Sequence, residues 1–301
     1  MPEPVIVGFD GSEHASDALV LARALAQTLQ TRLVAVVAYT PEKWLWAPGT
    51  AEPMDANERE RAVTRVEAIL SGLDDREIRT VASRSAAGAL HAEAEREQAQ
   101  IIVVGSSHRE GLGRVVLGTV TDDVLEAAPC AVAVAPAGLA SKQPLHFSKI
   151  GVGFDDAPPA HNALGFARSL ARRAHAELHL VWAAHLVARA MPLVGITYAD
   201  PNYFQDIRAG VEAQLEQAAS PIREELYVHT EILSGGTVAA LIKKSEHLDL
   251  LVLGSRGYGP VKRVLLGSVS RSVVNGARCP VLVVPLEINQ PGDAGQSSEV
   301  Q

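Results

Sequence analysis

The chain repeats itself, and this internal repeat limits the possible folds more than any other feature of the sequence. The segment VIVGFDGSEHASDALVLARALA near the N-terminus returns as IGVGFDDAPPAHNALGFARSLA, which matches Asp10 with Asp155. Residues 105–136 align without gaps to residues 254–285, and 13 of these 32 positions are identical. The offset between the copies is 145 residues at the first match and 149 at the second. The sequence is therefore a duplication, and its 301 residues provide two domains of about 150 residues, each large enough to bury a core.

Each half alternates short apolar runs with segments of helical periodicity. The runs of the first half are PVIVGF, RLVAVVA, REIRTVAS, QIIVVG and CAVAVA, and those of the second are KIGVGF, AELHLVWA, YVHTEIL, LDLLVLG and CPVLVVP. Near-continuous apolar strands that alternate with helices indicate a parallel sheet covered on both faces. The sequence therefore predicts an α/β fold with two open five-stranded sheets. We place the first domain at residues 1–138, a linker at 139–148, the second domain at 149–286 and a flexible tail at 287–301.

Charge and hydropathy restrict the partners of the chain. The formal net charge is −8 and no long basic run is present, so the clustered Lys and Arg that bind a phosphate backbone are missing. No segment approaches the roughly 18 apolar residues that span a bilayer, and the start MPEPVIVGFDG lacks the basic region of a signal peptide. We expect a cytoplasmic protein that binds neither nucleic acid nor membrane. Cys130 and Cys279 each open an apolar run, and we interpret them as small buried residues rather than a redox pair.

A glycine pattern follows the fourth strand of the second half. The strand LDLLVLG ends at Gly254, Gly257 comes three residues later, and Gly267 and Ser268 precede a helical segment, which gives the spacing G-x2-G-x9-G-S. Glycines let backbone N–H groups approach an anion without a Cβ in the way, and a helix N-terminus favours phosphate. Ser268 either caps the helix or binds a phosphate oxygen. Asp155 ends the first strand, and ligands of open α/β sheets bind beyond the carboxyl ends of the strands.

On these residues the chain resembles the universal stress protein family over residues 4–136 and 149–285, because G-x2-G-x9-G-S/T marks the ATP-binding branch of that family. The resemblance implies two Rossmann-like sheets with strand order 3-2-1-4-5. It also implies that the fifth strands, CAVAVA and CPVLVV, pair with each other within one chain to form a pseudo-dimer. The implied ligand is ATP, with or without magnesium.

The resemblance places a nucleotide site in each half, and we expect the second half to carry the stronger one because it keeps all three glycines of the motif. The residues expected to bind ATP in the second half are Asp155 near the ribose or phosphates, Ala183 near adenine, and Gly254, Arg256, Gly257, Gly267, Ser268 and Val269 near the phosphates. The corresponding residues of the first half are Asp10, Ala38, Gly105, His108, Gly118 and Thr119.

The chain departs from the family pattern in two places. The usual Asp-Gly-Ser after the first strand is Asp155, Asp156 and Ala157 in the second half. In the first half, His108 replaces the second glycine of the motif. The imidazole either intrudes where a phosphate should lie, binds the phosphate itself, or is a surface side chain of no consequence.

The sequence assigns no residue a catalytic or metal-binding role. A complete Walker motif is missing, and no nucleophile, base and orienting group converge on one site. His175 and His179 have the spacing of metal ligands on a helix, but His179 falls in a strand pattern. Ser234, Gly235 and Gly236 resemble the SGG of adenylylating enzymes but follow the third strand, so we predict a turn into a helix near Thr237.

The leading functional hypothesis is an ATP-dependent sensor or regulator in the response to stress or growth arrest. One alternative is an enzyme that hydrolyses ATP slowly or transfers nucleotides, and another is an interaction protein that binds no nucleotide. The resemblance also implies a homodimer or other homo-oligomer of whole chains, and an unidentified protein partner.

The departure at His108 predicts opposite effects for two reciprocal substitutions. If the imidazole excludes the phosphates, His108→Gly should raise the number or affinity of bound ATP molecules, and Gly257→His should weaken the second site. Titration with ATP and magnesium, after thermal unfolding has shown that both variants are folded, measures this. A phosphate-binding histidine gives the reverse sign at the first site, most visibly below about pH 6.5, where an ordinary imidazole becomes charged. No change in either variant contradicts both readings.

Overall fold

The computed structural model describes residues 3–41, 55–106, 118–142, 144–183, 201–255 and 267–286, with backbone only for residues 201–204. The elements of the first half are β1 (Val5–Gly8), α1 (Glu13–Leu29), β2 (Leu33–Tyr39), α2 (Ala56–Ile69), β3 (Arg76–Ala82), α3 (Ala86–Glu97), β4 (Ile101–Gly105), α4 (Thr119–Ala127) and β5 (Ala131–Ala135). A 3-10 helix (Leu139–Lys142) follows. The elements of the second half are β6 (Lys149–Phe154), α5 (Pro158–Ala174), β7 (Glu177–Ala183), α6 (Pro201–Ala219), β8 (Val228–Leu233), α7 (Thr237–Ser245), β9 (Leu250–Gly254), α8 (Ser268–Val274) and β10 (Val281–Val284).

The strands of both halves form one ten-stranded sheet in the order β3-β2-β1-β4-β5-β10-β9-β6-β7-β8. Within each half every strand pair is parallel, and the order 3-2-1-4-5 is confirmed. The two halves meet where β5 pairs antiparallel with β10, Val134 opposite Val281 and Val132 opposite Val283. The predicted pairing of the fifth strands within one chain is therefore confirmed. We call this pair of strands the seam.

Apolar side chains fill both faces of the sheet. Because successive strand residues point to opposite faces, Val5 and Val7 belong to the apolar layer on the side of α1, α2, α5 and α6, whereas Ile6 belongs to the layer on the side of α3, α4, α7 and α8. Each of the two apolar layers contains buried residues of both halves. The core is therefore continuous across the seam on both faces.

Charged side chains of opposite sign meet across the seam. Arg271 on α8 donates from Nη1 to Asp122 Oδ2 and from Nη2 to Glu126 Oε1 on α4, each at 2.9 Å. The repeat offset of 149 residues makes Asp122 and Arg271 equivalent positions of the two copies. They face each other because a pseudo-twofold axis brings equivalent positions together. Two identical copies would place like charges here, so the divergence of this position favours pairing of the two different halves.

The segment predicted to be a linker is packed against the first half. Asp17, a buried residue of α1, accepts hydrogen bonds from the backbone N–H groups of Gly138 at 2.8 Å and Ala140 at 2.7 Å. Leu139 and Phe147 are buried in the core. These contacts fix both the start and the end of the connection between the halves. The predicted tail at residues 287–301 lies outside the described residues.

Burial determines how the two cysteines behave chemically. Cys130 and Cys279 are buried free thiols, and burial raises the pKa of both, that of Cys130 to about 12. A thiol that stays protonated at neutral pH is a poor nucleophile, so both behave as small apolar residues, as predicted. Of the helices in the part of the chain that the structure describes, none has the length and hydropathy needed to cross a membrane.

The charges at the seam give a testable prediction. Arg271→Asp should lower the free energy of unfolding by about 1 kcal/mol, because a partly exposed ion pair is replaced by two like charges. Adding Asp122→Arg to that variant should recover most of the loss, since the pair is then restored with its polarity reversed. Equilibrium denaturation of the wild type, both single variants and the double variant measures the coupling. A double variant no more stable than the better single variant would show that the pair contributes nothing to the seam.

Candidate functional site

A cavity opens at the carboxyl ends of the strands in the first half. Its volume is about 220 Å³, and it is lined by residues from β1, β2, β4, α1, α3 and α4. Five residues predicted from the sequence share this cavity: Asp10, Ala38, Gly105, Gly118 and Thr119. His108 lies outside the described residues. The strand order brings these positions together, because β1 lies between β2 and β4 and all three are parallel.

The predicted residues of the second half occupy the equivalent places. Asp155 follows the end of β6, Ala183 ends β7 and Gly254 ends β9. Since β6 lies between β7 and β9, these three strand ends meet at one edge of the sheet. Gly267 precedes α8, whose first two residues are Ser268 and Val269. Arg256 and Gly257 are not among the described residues.

The N-cap residues of α4 and α8 are glycines, which have no side chain to bond the first N–H groups of the helix. Gly118 is the N-cap of α4, with φ −94° and ψ 168°, and Gly267 is the N-cap of α8, with φ −68° and ψ 159°. No side chain bonds to the first-turn N–H groups from either cap position. Ser268 is the first residue of its helix, so the alternative that it caps α8 is wrong. At α4 the N–H groups and the positive end of the helix dipole border the cavity, where they suit an anion.

The glycines that end β4 and β9 are required by packing. A Cβ built on Gly105 would lie 2.3 Å from the carbonyl oxygen of His14, and one built on Gly254 would lie 2.4 Å from that of Pro159. His14 and Pro159 are in the first turns of α1 and α5. From the sequence we expect these glycines only to allow the approach of a phosphate. They are also the positions where each half lets its first helix cross close to its fourth strand.

A hydroxyl from α4 and one from α8 donate hydrogen bonds to the glycines that end β4 and β9. Thr121 Oγ1 donates to the carbonyl oxygen of Gly105 at 2.7 Å, and Ser270 Oγ donates to that of Gly254 at 3.1 Å. These hydrogen bonds tie the first turns of α4 and α8 to the ends of β4 and β9. These hydrogen bonds therefore hold the helix N-termini in place relative to the sheet.

The aspartates at the ends of β1 and β6 form tight turns. Asp10 Oδ1 accepts from the N–H of Ser12 at 2.9 Å, and Asp155 Oδ1 accepts from that of Ala157 at 3.3 Å. Both aspartates are exposed. The turn holds one carboxylate oxygen by the backbone, which orients the carboxylate at the edge of the sheet.

The departure from Asp-Gly-Ser has a structural compensation. Asp156 adopts the left-handed conformation, φ 61°, at the position where the first half has Gly11 with φ 88°. Its carboxylate contacts His161 Nε2 at 2.8 Å and accepts from Gln214 Nε2 at 3.1 Å. These contacts hold the strained turn, so the second half keeps the same backbone path without the glycine.

Several cavity residues were not identified from the sequence. They are Ser12 and His14 from α1 and its cap, Ser106 after β4, and Thr121 in α4. Ser12 could have been identified, because a serine just before a helical pattern is a typical N-cap. In the structure its Oγ accepts from the N–H of Ala15 at 3.1 Å. His14 gave none, since its place in the cavity depends on how α1 crosses β4.

Comparisons with known proteins identify the family to which the chain is similar. The Universal stress protein family matches the chain twice, at residues 1–136 and 146–285. Universal stress protein Rv2005c of Mycobacterium tuberculosis is 31% identical over 189 residues, which are 62% of this chain and 62% of that protein. Universal stress protein YxiE of Bacillus subtilis is 32% identical over 146 residues, 46% of this chain and 99% of that protein. The alignment to the mycobacterial relative thus spans about three fifths of its length.

The fold is also shared with a solved structure. The crystal structure of a universal stress protein from Archaeoglobus fulgidus superimposes with a TM-score of 0.64 and is 18% identical, covering 94% of this chain and 98% of that one. The superposition includes both halves, so the arrangement of two domains in one chain is common to the two proteins.

The close approach at the strand-ending glycines predicts a stability cost. Gly105→Ala and Gly254→Ala should each lower the free energy of unfolding by about 1–3 kcal/mol in nucleotide-free protein, because the added methyl group meets backbone atoms. Gly210→Ala is the matched control, since Gly210 is an exposed residue of α6 with nothing within 4 Å of the added Cβ. That variant should be neutral or slightly stabilising. Equal stability of all three variants would refute the packing role.

Proposed function

The chain belongs to the universal stress protein family, and on this basis we propose that it binds ATP at the carboxyl edge of the sheet, with one site in each half. The cavity of the first half carries the proposal, because it joins an aspartate, three strand ends and an uncapped helix N-terminus. These features suit the parts of a nucleoside triphosphate: a polar group for the ribose, an apolar wall for the base and N–H donors for the phosphates.

The ligand would lie across the ends of β1 and β2 with its phosphates at α4. Adenine would lie beside Ala38, the ribose near Asp10, and the phosphates at Gly118 and Thr119. In the second half Ala183, Asp155, Gly267 and Ser268 would take the same roles. Magnesium would accompany the phosphates through their oxygens.

A pair of buried hydroxyls supports a ligand at each site. Ser106 and Ser255 follow the strand-ending glycines, and both are buried. Their backbone N–H groups donate to Ala135 at 3.0 Å and Val284 at 2.8 Å, but neither Oγ bonds to any residue that the structure describes. A buried hydroxyl without a partner is costly, so a polar ligand or a bound water at these positions would stabilise the site.

Occupancy of the sites would be transmitted through the helices that hold the phosphates. Asp122 and Arg271, which pair across the seam, lie three residues after Thr119 and Ser268 in α4 and α8, about one helical turn further along. A phosphate bound at either helix would act on a turn that also contacts the other half. We therefore propose a regulator whose nucleotide state changes the surface it presents, and not an enzyme with rapid turnover. A homodimer of whole chains and a protein partner that recognises this surface belong to the same proposal.

Valine at the two helix caps tests the sites separately. The N-cap glycines have extended backbone angles that any residue adopts, so Gly118→Val and Gly267→Val should fold normally while the side chain occupies the place of a phosphate. Each should weaken ATP binding at its own site by at least about tenfold, or about 1.4 kcal/mol.

Calorimetric titration of nucleotide-free protein with ATP and magnesium gives the stoichiometry and affinity of each variant. Each single variant should retain the site of the other half, and the double variant should retain neither. Unchanged ATP binding in a folded double variant would overturn the placement of the phosphates. Recovery of the bound nucleotide as ATP is expected, and its rapid conversion to ADP would favour an ATPase instead.

A further inference from the structure

Two histidines and a glutamate lie together on the outer strands of the second half. His179 on β7 is directly opposite His229 on β8, and Glu177 begins β7 on the same face of the sheet. Among the described strands β8 is at the edge of the ten-stranded sheet. The group lies near the amino end of β7, whereas Ala183 and the proposed nucleotide site are at its carboxyl end. This cluster is therefore separate from the ATP site.

The three side chains converge on one point. Glu177 Oε2 lies 3.5 Å from His179 Nε2 and 3.7 Å from His229 Nε2, and the potential ligand atoms of all three residues are within 4.8 Å of one another. The imidazole rings stack with centroids 4.7 Å apart and an interplanar angle of 22°. Ligands about 2.0–2.2 Å from a tetrahedral zinc ion lie about 3.4 Å from each other. The carboxylate and both nitrogens are thus within a small movement of zinc geometry.

The environment of His179 leaves its nitrogen available to a metal. The side chain is 13% exposed, and its Nε2 is buried with no hydrogen bond to any residue in the described ranges. Burial lowers the pKa of His179, and the positive charge of Lys244 and the neighbouring His229 lower it further, against the opposing effect of Glu177. The neutral imidazole is the form that binds metal ions. Lys244 is itself paired with Glu231, which offsets its charge.

In the first half, the positions that correspond to Glu177 and His229 carry residues that form ion pairs. By strand register and the 145-residue offset, Glu177 corresponds to Arg32, and His229 to Glu77. Glu77 there contacts two arginines, Arg32 at 3.0 Å and Arg79 at 2.6 Å.

In the described part of the second half no arginine takes the place of these partners. Among the described residues, the carboxylate of Glu177 has ion-pair contacts only with His179 and His229. The side chain of Glu177 is 42% exposed and that of His229 is 45% exposed, so water can reach the open side of the cluster. A cation with an open fourth position would complete it.

We propose that Glu177, His179 and His229 bind a divalent transition-metal ion, with zinc as the leading candidate. Glu177 Oε2 and the Nε2 atoms of both histidines are the ligands, and water fills the remaining position. Imidazole and carboxylate together favour zinc and similar first-row ions over magnesium or calcium, which prefer oxygen ligands alone. Bound metal would join the edge strand β8 to β7 and stabilise the folded chain.

Titration of the full-length, nucleotide-free and metal-stripped chain with zinc chloride tests the site. Wild type should bind zinc, and His179→Gln, His229→Gln and Glu177→Gln should each weaken one equivalent of binding by at least about tenfold. His247→Gln is the matched control, because His247 is an exposed histidine of the same half outside the cluster. It should bind zinc as the wild type does.

Two further measurements separate this site from loss of folding and from the nucleotide site. Added zinc should raise the unfolding temperature of wild type and of His247→Gln, but not that of Glu177→Gln, whose exposed substitution leaves the core intact. The Gly118→Val and Gly267→Val variants should bind zinc with wild-type affinity whether or not they bind ATP. Zinc binding that is unchanged in all three cluster variants, or lost equally in His247→Gln, would overturn the proposal.

Discussion

In an open five-stranded sheet, the outermost strand leaves a row of backbone N–H and C=O groups without partners. In this chain β5 and β10 satisfy these groups for each other, with Val134 opposite Val281 and Val132 opposite Val283. The pairing joins two sheets into one and makes the apolar layers on both faces continuous. It also brings the N-termini of α4 and α8 to the same region, since each of these helices directly precedes a seam strand. Each candidate nucleotide site is formed by the strand order of its own half, and this antiparallel contact sets how the two sites lie relative to each other.

The two copies have diverged most informatively in their charges. The pseudo-twofold axis pairs position 122 with position 271, and the copies carry Asp and Arg there, so the halves attract each other where identical copies would repel. Away from the axis, an ion pair between the third strand and third helix of each half has opposite charges in the two halves. Arg79 on β3 pairs with Glu93 on α3, and Glu231 on β8 pairs with Lys244 on α7 at the corresponding place. The same contact between strand and helix is thus made by opposite arrangements of charge in the two halves. In the second half, the carboxylate of Glu177 lies between His179 and His229.

Much of the architecture could be predicted from the sequence, because it depends on local patterns that repeat. Apolar runs gave the strands, the duplication gave two domains, and the family resemblance gave the strand order. The turn at Gly235 and Gly236 before Thr237 was also predicted, and the helix begins at that residue. Five of the six residues expected at the carboxyl edge of the first half line one cavity, and the sixth, His108, lies outside the described residues.

What the sequence could not give depends on contacts between distant parts of the chain. The role of Gly105 in the close approach of α1 is visible only once the helix is placed over the strand. His175 and His179 have metal-ligand spacing only along the chain, because His175 is the C-cap of α5 whereas His179 lies in β7. The partners that matter for His179 are Glu177, two residues before it, and His229, which is 50 positions away in sequence. Strand register, which a single sequence does not specify, creates that cluster.

Counting the adenine nucleotide bound per chain tests most directly whether this protein binds ATP. The protein is equilibrated with ATP and magnesium, freed of unbound nucleotide by rapid gel filtration and denatured, and the released nucleotide is identified by mass spectrometry. We predict ATP in a ratio to protein of at least one molecule per chain, rising toward two when both halves are occupied. Release of no nucleotide, together with no heat of binding in titration, would contradict the account and leave a universal stress fold that acts without ATP.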